Sequence, residues 1–287
     1  MDWLLYSLIT ALAVSARDVS VKIFRQNSPL EIAGMELFWS LPILILGFIL
    51  VEVPDIDRVF WINFVLSIPL NAAAYILYLY AIKMSPLSLT VPFLAFTPAF
   101  MIITGKVVLD EDISLWGGAG IMLIVVGSYV LNISSTMGGI SQPFRRFIDE
   151  KGAWIMLTVA FIFSFAAVIG KEAMIHSSTL FFSFSFFIVF NVCILFVLLL
   201  TGKIQTSLFI KEPTKGFWLG LLLSIHVACH GLAIAIANAA YMIALKRSSI
   251  LFTVIVGITL LKEENPKWRG IGTALMFLGV LLISLKG

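Results

Sequence analysis

The sequence predicts an all-α membrane protein, ten transmembrane helices arranged as two inverted five-helix repeats, and three observations carry that prediction. Apolar residues fill 60% of the 287 positions and charged residues only 12%, with a mean hydropathy of +1.06. A water-soluble chain of this size has no core large enough to hide so much. The apolar residues also fall in runs of about 20, enough to cross about 30 Å of hydrocarbon. No ten-residue barrel alternation appears, so helices are the element that satisfies the backbone in lipid. Finally, Phe100–Gly127 returns as Phe252–Gly279 at a fixed offset of 152 residues, matching Glu111 with Glu263, Trp116 with Trp268, and Gly105, Gly118, Gly120 and Gly127 with Gly257, Gly270, Gly272 and Gly279. A Glu, a Trp and four Gly in one register are hard to obtain from composition alone. With five spans per copy, the odd number turns the second copy over in the membrane.

In the first half the spans fall near 3–22, 31–51, 60–81, 88–108 and 114–133. The first resembles a signal peptide at Val14-Ser15-Ala16, but Met1-Asp2 offers no basic leader, so it is read as the first helix. Pro42 and Pro69 predict kinks in the second and third spans, and Pro92 with Pro98 makes the fourth a bent element. The ninth span has Ala244 and Ile250 at the corresponding places. Residues 1–133 thus form the first unit and 134–152 a linker. The linker carries Gly138-Gly139, Pro143 and Arg145-Arg146, and Ile140, Phe144, Phe147 and Ile148 give it the pattern of a short interfacial helix.

The second unit, 153–287, has spans near 153–172, 178–200, 216–236, 240–261 and 268–285, with the polar stretch Lys203–Lys215 between its second and third. Gly216-x-x-x-Gly220 permits close helix approach. Internal packing is the expected use and a homodimer the alternative. Cys193 and Cys229 both lie inside spans, so no disulfide framework is implied. The net charge of +3 comes from loop residues and offers no basic patch for nucleic acid. Twelve Lys and Arg near span ends fall on the linker's face of the membrane and four, Arg58, Lys106, Lys171 and Lys286, on the other. This places the linker in the cytoplasm and both termini outside.

The run Pro86-Leu-Ser-Leu-Thr-Val-Pro92, Thr97-Pro98, Leu109-Asp110-Glu111, Gly118-x-Gly120 and Val126-Gly127-Ser128-Tyr129 resembles the first EamA-type repeat of the drug/metabolite transporter superfamily. Leu261-Lys262-Glu263, Gly270-x-Gly272 and Leu278-Gly279-Val280 resemble the second. The resemblance implies a ten-helix carrier of the cell (inner) membrane that moves a small molecule by alternating access around a central cavity, without a cofactor. It also implies cytoplasmic termini, against the charge count, and the family's Leu-Gly-Glu is changed here at Asp110 and Lys262. The stretch from Asn238 to Val256 is in turn similar to the ninth helix of plastid phosphate translocators, where a Lys-Arg pair holds phosphate.

An ionisable side chain at mid-bilayer costs about 2.5–3.5 kcal/mol on insertion scales, so each one needs a reason. Lys246-Arg247, about six residues into the ninth span, diverge by about 100° around the helix, so at least one should line an interior cavity. There an ammonium and a guanidinium fork make an anion site. Snorkelling to the interface, or pairing with an acid, is the competing reading. Arg17-Asp18 and Lys171-Glu172 form similar doublets at an offset of 154 and are candidates for gating or coupling, or for interfacial ion pairs. Glu36, about one and a half turns into its span, is either a proton site or, as preferred, an interfacial hydrogen-bonded acid. His226 and His230 share a face at i, i+4, and with no further ligand types beside them a cavity lining is expected over a metal site, so His230 joins the substrate candidates. Asn71, Tyr75 and Tyr78 share a face of the third span, for the substrate or for interhelical hydrogen bonds. No nucleophile with a base and no Gly-rich phosphate loop supports an enzyme.

The expected function is a secondary carrier for a small organic anion. An amino-acid or mixed-metabolite exporter, or a non-transporting scaffold of the same fold, is the alternative. The inverted repeat predicts that Glu111 and Glu263 lie on opposite faces. Cysteines introduced at Asp112 and Asn265 should label from opposite sides of sealed vesicles, and equal labelling of both from one side contradicts the inversion.

Overall fold

Twelve helical elements follow from this chain in a computed structural model that describes residues 2–24, 26–85, 91–131, 151–252, 256 and 266–287. They are α1 (Asp2–Ile23), α2 (Pro29–Leu50), α3 (Arg58–Met84), a 3-10 helix η1 (Val91–Phe96), α4 (Thr97–Leu109) and α5 (Leu115–Leu131). After the linker come α6 (Lys151–Ile175), α7 (Thr179–Leu200), the short α8 (Leu208–Lys211), α9 (Pro213–Ile236), α10 (Ala239–Lys246) and α11 (Pro266–Lys286). Among the described residues six of these are long and apolar enough to cross a membrane, α1, α2, α3, α6, α7 and α9, and three apolar helices are shorter. The expected linker helix over 140–148 and the echo positions Gly257 and Glu263 lie outside the described residues.

Local chemistry starts the helices where the sequence allows. Ser28 accepts from the Glu31 N–H (3.2 Å) while the Glu31 carboxylate accepts from the Ser28 N–H (2.7 Å), a reciprocal cap on α2. Asp57 caps α3 through the Phe60 N–H (2.9 Å), and Asn238 caps α10 through the Ala240 N–H (3.1 Å). Pro42 and Pro69 sit inside α2 and α3, which both run through them. The fourth span is divided as its two prolines suggest, with η1 giving way to α4 and Pro98 in the first turn of α4.

The ninth span departs from expectation. It was predicted as one helix over 240–261, but α10 ends at Lys246, the backbone turns at Arg247 and Ser248, and helix resumes at 249–252. Three-residue hydrogen bonds replace four-residue ones here: Ser248 N–H to Leu245 O (2.9 Å), Ile250 N–H to Arg247 O (3.1 Å) and Leu251 N–H to Ser248 O (2.9 Å). Adjacent serines are weak helix formers, and two cations are favoured where a helix exposes its last carbonyls.

The packing exchanges positions related by the offset of 152. A Cβ on Gly120 of α5 would lie 2.8 Å from the Gly279 carbonyl of α11, and one on Gly127 would lie 2.8 Å from the Gly272 carbonyl. Gly120 corresponds to Gly272 and Gly127 to Gly279, so the two antiparallel helices meet through swapped partners. The α3–α6 and α1–α9 contacts, likewise extensive, exchange under the same correspondence. One contact breaks the pattern. Gly216 and Gly220 let α9 approach α2 so closely that a Cβ on either would overlap Trp39. At the same offset α3 carries Phe64 and Ile68, and Phe64 meets Phe182 and Phe186 of α7 edge-on at 6.0 and 6.2 Å. Rings therefore hold α7 off α3 where glycines admit α2 to α9. The Gly216/Gly220 face is filled from within the chain, as internal packing requires, and is not open to a second copy.

The core crosses both halves, with Met35, Leu44 and Phe60 packed in one cluster with Phe182, Met242 and Leu245. Outward-facing Leu50, Leu115 and Phe196 are 76%, 86% and 62% exposed, a surface suited to acyl chains. Overpacking a tight contact costs about 1–3 kcal/mol, so Gly120→Val and Gly127→Val should each lower the melting temperature in detergent. Gly270→Ala, with nothing within 4 Å of its added Cβ, should not; equal melting of all three contradicts the backbone contact.

Candidate functional site

Two helix interruptions meet inside the bundle. The guanidinium of Arg247, at the break after α10, donates from Nη2 to Thr97 Oγ1 (3.1 Å), at the junction of η1 and α4. Thr97 is 2% exposed, and its hydroxyl donates to the Leu94 carbonyl (2.7 Å). Pro98 removes the next backbone donor and disfavours helix at Thr97, so this break too is written in the sequence. Thr97 and Ser249 correspond at the offset of 152, which places the two interruptions at matching points. Interrupted helices meeting in a membrane-embedded core are the arrangement from which carriers build substrate sites.

The charges around this junction are unevenly matched. Arg17 of α1 is paired, its Nε lying 2.7 Å from Glu36 Oε1 and 2.9 Å from Oε2, with Asp18 Oδ1 3.7 Å from Nη1. Glu36 is 4% exposed and is hydrogen-bonded, as expected, here as the buried counter-ion of Arg17. Lys246, by contrast, makes no hydrogen bond or ion pair among the described residues. Among the described residues Arg247 hydrogen-bonds Thr97, and its Nε is buried without a partner there. Asp18 and Tyr78 lie within electrostatic reach of Arg247.

His226 and His230 line the same region, their rings 5.6 Å apart and edge-on, both within reach of Lys246 and Arg247. His230 Nδ1 is buried with no partner. Tyr75 and Tyr78 of α3 face Arg17 and Glu36. The structure therefore brings together Lys246, Arg247, His230, Tyr75, Tyr78, Arg17, Asp18 and Glu36. Among the described residues, the buried Arg247 Nε and His230 Nδ1 beside the two adjacent cations are left without a protein partner, an arrangement able to accept a polar ligand.

Other candidates go elsewhere. Asn71 donates one amide N–H to the Ser67 carbonyl on its own helix (2.8 Å). The Lys171-Glu172 doublet is split. Lys171 binds Glu111 and the Ala237 carbonyl, while Glu172 Oε1 faces His176 Nε2 at 3.4 Å. Sequence reasoning missed Thr97, whose signal was a Thr-Pro step inside an apolar run, and the part taken by Glu111, read only as a marker of the repeat. No group of three or more metal-ligating side chains occurs among the described residues.

Comparison with known proteins bears on this geometry. Residues 1–133 match the model of the EamA-like transporter family. A solved crystal structure of a protein superimposes with a TM-score of 0.78 over 99% of this chain and 96% of its own, at 13% sequence identity, a likeness of fold alone. No curated protein matches.

Outside the spans, His176 and Asp57 join the end of α6 to the start of α3 beside a surface cleft of about 370 Å³, with Nδ1 2.6 Å from Oδ2. The hydrogen bond to Asp57 raises the pKa of His176 above its ordinary 6.5. The Phe60 N–H, then His176, lower Asp57 below 3.8. The His176 contribution to stability is full below 6.5 and is lost as pH rises through the raised value, while that of Asp57 is full above 3.8 and is lost as pH falls through the lowered one. The melting-temperature difference between wild type and His176→Gln should therefore be largest in mildly acidic buffer and fade as pH rises through the raised value. A difference independent of pH contradicts the pair.

Proposed function

We propose that this chain, whose residues 1–133 match the model of the EamA-like transporter family, is a member of that family and a secondary carrier for a small organic anion in the cell (inner) membrane. Ten membrane segments form two inverted units, 1–133 and 153–287, joined by a linker at 134–152. The swapped Gly120–Gly279 and Gly127–Gly272 contacts support the inversion, and the matched interruptions near Thr97 and Arg247 support a central site. The observation that carries the anion is the charge balance. Arg17 has Glu36, whereas Lys246 and the Nε of Arg247 have no partner among the described residues. Two neighbouring cations with no ion pair among the described residues are stabilised by a ligand that brings negative charge.

The position of Lys246 favours this over snorkelling, because it closes α10 seven residues past Ala239, roughly 10 Å along the axis at about 1.5 Å per residue. Alternating access then follows from exposing one site to each side in turn. A second reading has one observation behind it. Asp18, beside Arg17 and in reach of Arg247, offers a carboxylate to a substrate ammonium, as an amino-acid or mixed-metabolite exporter requires.

A charge-assisted hydrogen bond contributes about 1.5–3 kcal/mol, so Lys246→Gln and Arg247→Gln should each weaken anion binding about ten-fold or more. Arg247→Lys should keep the charge and lose the fork. Unchanged affinity in both Gln variants, in folded and inserted protein, makes the pair structural and moves the zwitterion reading ahead.

A further inference from the structure

One ammonium and one carboxylate tie together four chain segments at a single end of the bundle. Lys171, in the last turns of α6, donates to Glu111 Oε1 and to the Ala237 carbonyl at the end of α9. The other oxygen of Glu111 accepts from the Ala239 N–H (2.9 Å), the first residue of α10. Both side chains are nearly enclosed, 9% and 15% exposed. The carboxylate thus meets the positive end of α10, and the ammonium satisfies a carbonyl that α9 leaves open.

Neighbouring bonds run the same way. Asn238 Nδ2 donates to the Asp112 carbonyl (3.3 Å) and the Tyr241 hydroxyl accepts from the Ser114 N–H (2.9 Å). The corner between α4 and α5, from the first half, is stitched to the corner between α9 and α10, from the second. At the opposite end the described ion pairs, Arg17–Glu36 and Lys215–Glu212, each stay within one half. Arg17 is the counterpart of Lys171 at the offset of 154, yet its acid comes from its own half. Ionic closure between the halves is therefore one-sided among the described residues.

We propose that Lys171 and Glu111 are the latch that holds this end closed, and that releasing them frees the start of α10 and with it the helix carrying Lys246 and Arg247. The two residues are positioning residues: they touch the helix that bears the cations, not the substrate. The link to substrate rests on the anion reading, while the latch itself does not.

The test uses the full chain with Cys193 and Cys229 replaced by serine and one reporter, Ala239→Cys, at a position with 0% exposure. Alkylation by a membrane-impermeant thiol reagent is timed in reconstituted vesicles with no ligand present. Lys171→Gln and Glu111→Gln should each raise the rate about ten-fold or more, the factor set by one charge-assisted bond. Lys171→Arg, which keeps the charge, should stay close to the parent rate. Glu111→Gln is nearly isosteric and still accepts from Ala239, so it decides the matter if Lys171→Gln does not fold. Parent-like labelling in the folded Gln variants overturns the latch. Because no anion is added, that failure is distinct from a loss of affinity at Lys246 and Arg247.

Discussion

A cation enclosed in a lipid-embedded bundle must bring an anion with it or neutralise, because removing a charge from water costs more than any single packing contact returns. The arrangement of this protein follows from how its interior cations meet that condition. Arg17 meets it within the first half, through an ion pair with Glu36 of α2. Lys171 meets it across the halves, through Glu111. Lys246 and Arg247 form no ion pair among the described residues, where Arg247 Nε and the nearby His230 Nδ1 are also buried without a partner. Two of these cations are matched within the protein, and the third group is where the proposed ligand would bring its negative charge.

Backbone chemistry puts the unsatisfied pair there. A continuous helix would carry Lys246 and Arg247 on diverging faces and satisfy its own carbonyls. Ending α10 at Lys246 places both cations at a helix C-terminus, where the dipole favours positive charge. It also lets Arg247 reach Thr97 at the matching interruption of the fourth segment. The glycine contacts between α5 and α11 join the halves by close packing without an ion pair of their own.

Much of this was legible in the sequence. The echo at 152 residues pointed to the glycines that turned out to touch, and Pro92 with Pro98 pointed to the division of the fourth segment. The interruption at Arg247 was not legible, since Leu245–Ser249 sits in an apolar run whose periodicity reads as one helix and a serine pair is a weak stop signal. The pairing of Glu36 with Arg17 was hidden for a related reason: depth along a predicted span measures distance from the helix end, whereas burial here is set by the helices packed on α2, chiefly α7 and α9. The split of Lys171 from Glu172 was equally hidden. Adjacent residues on a helix face different neighbours, and which neighbours they meet is decided by tertiary packing. Asn71 shows the converse, a polar residue on the right face that turned to its own backbone.

The central claim, that an unmatched cation pair makes this an anion site, is tested most directly by the thermal stability of the purified protein against a panel of anionic and zwitterionic metabolites. A ligand that binds only the folded state at a hundred times its Kd adds about 2.7 kcal/mol. The account predicts that one or more anions raise the melting temperature of the wild type and that Arg247→Gln loses the shift. Stabilisation by zwitterions alone, or an anion shift of equal size in Arg247→Gln, contradicts it.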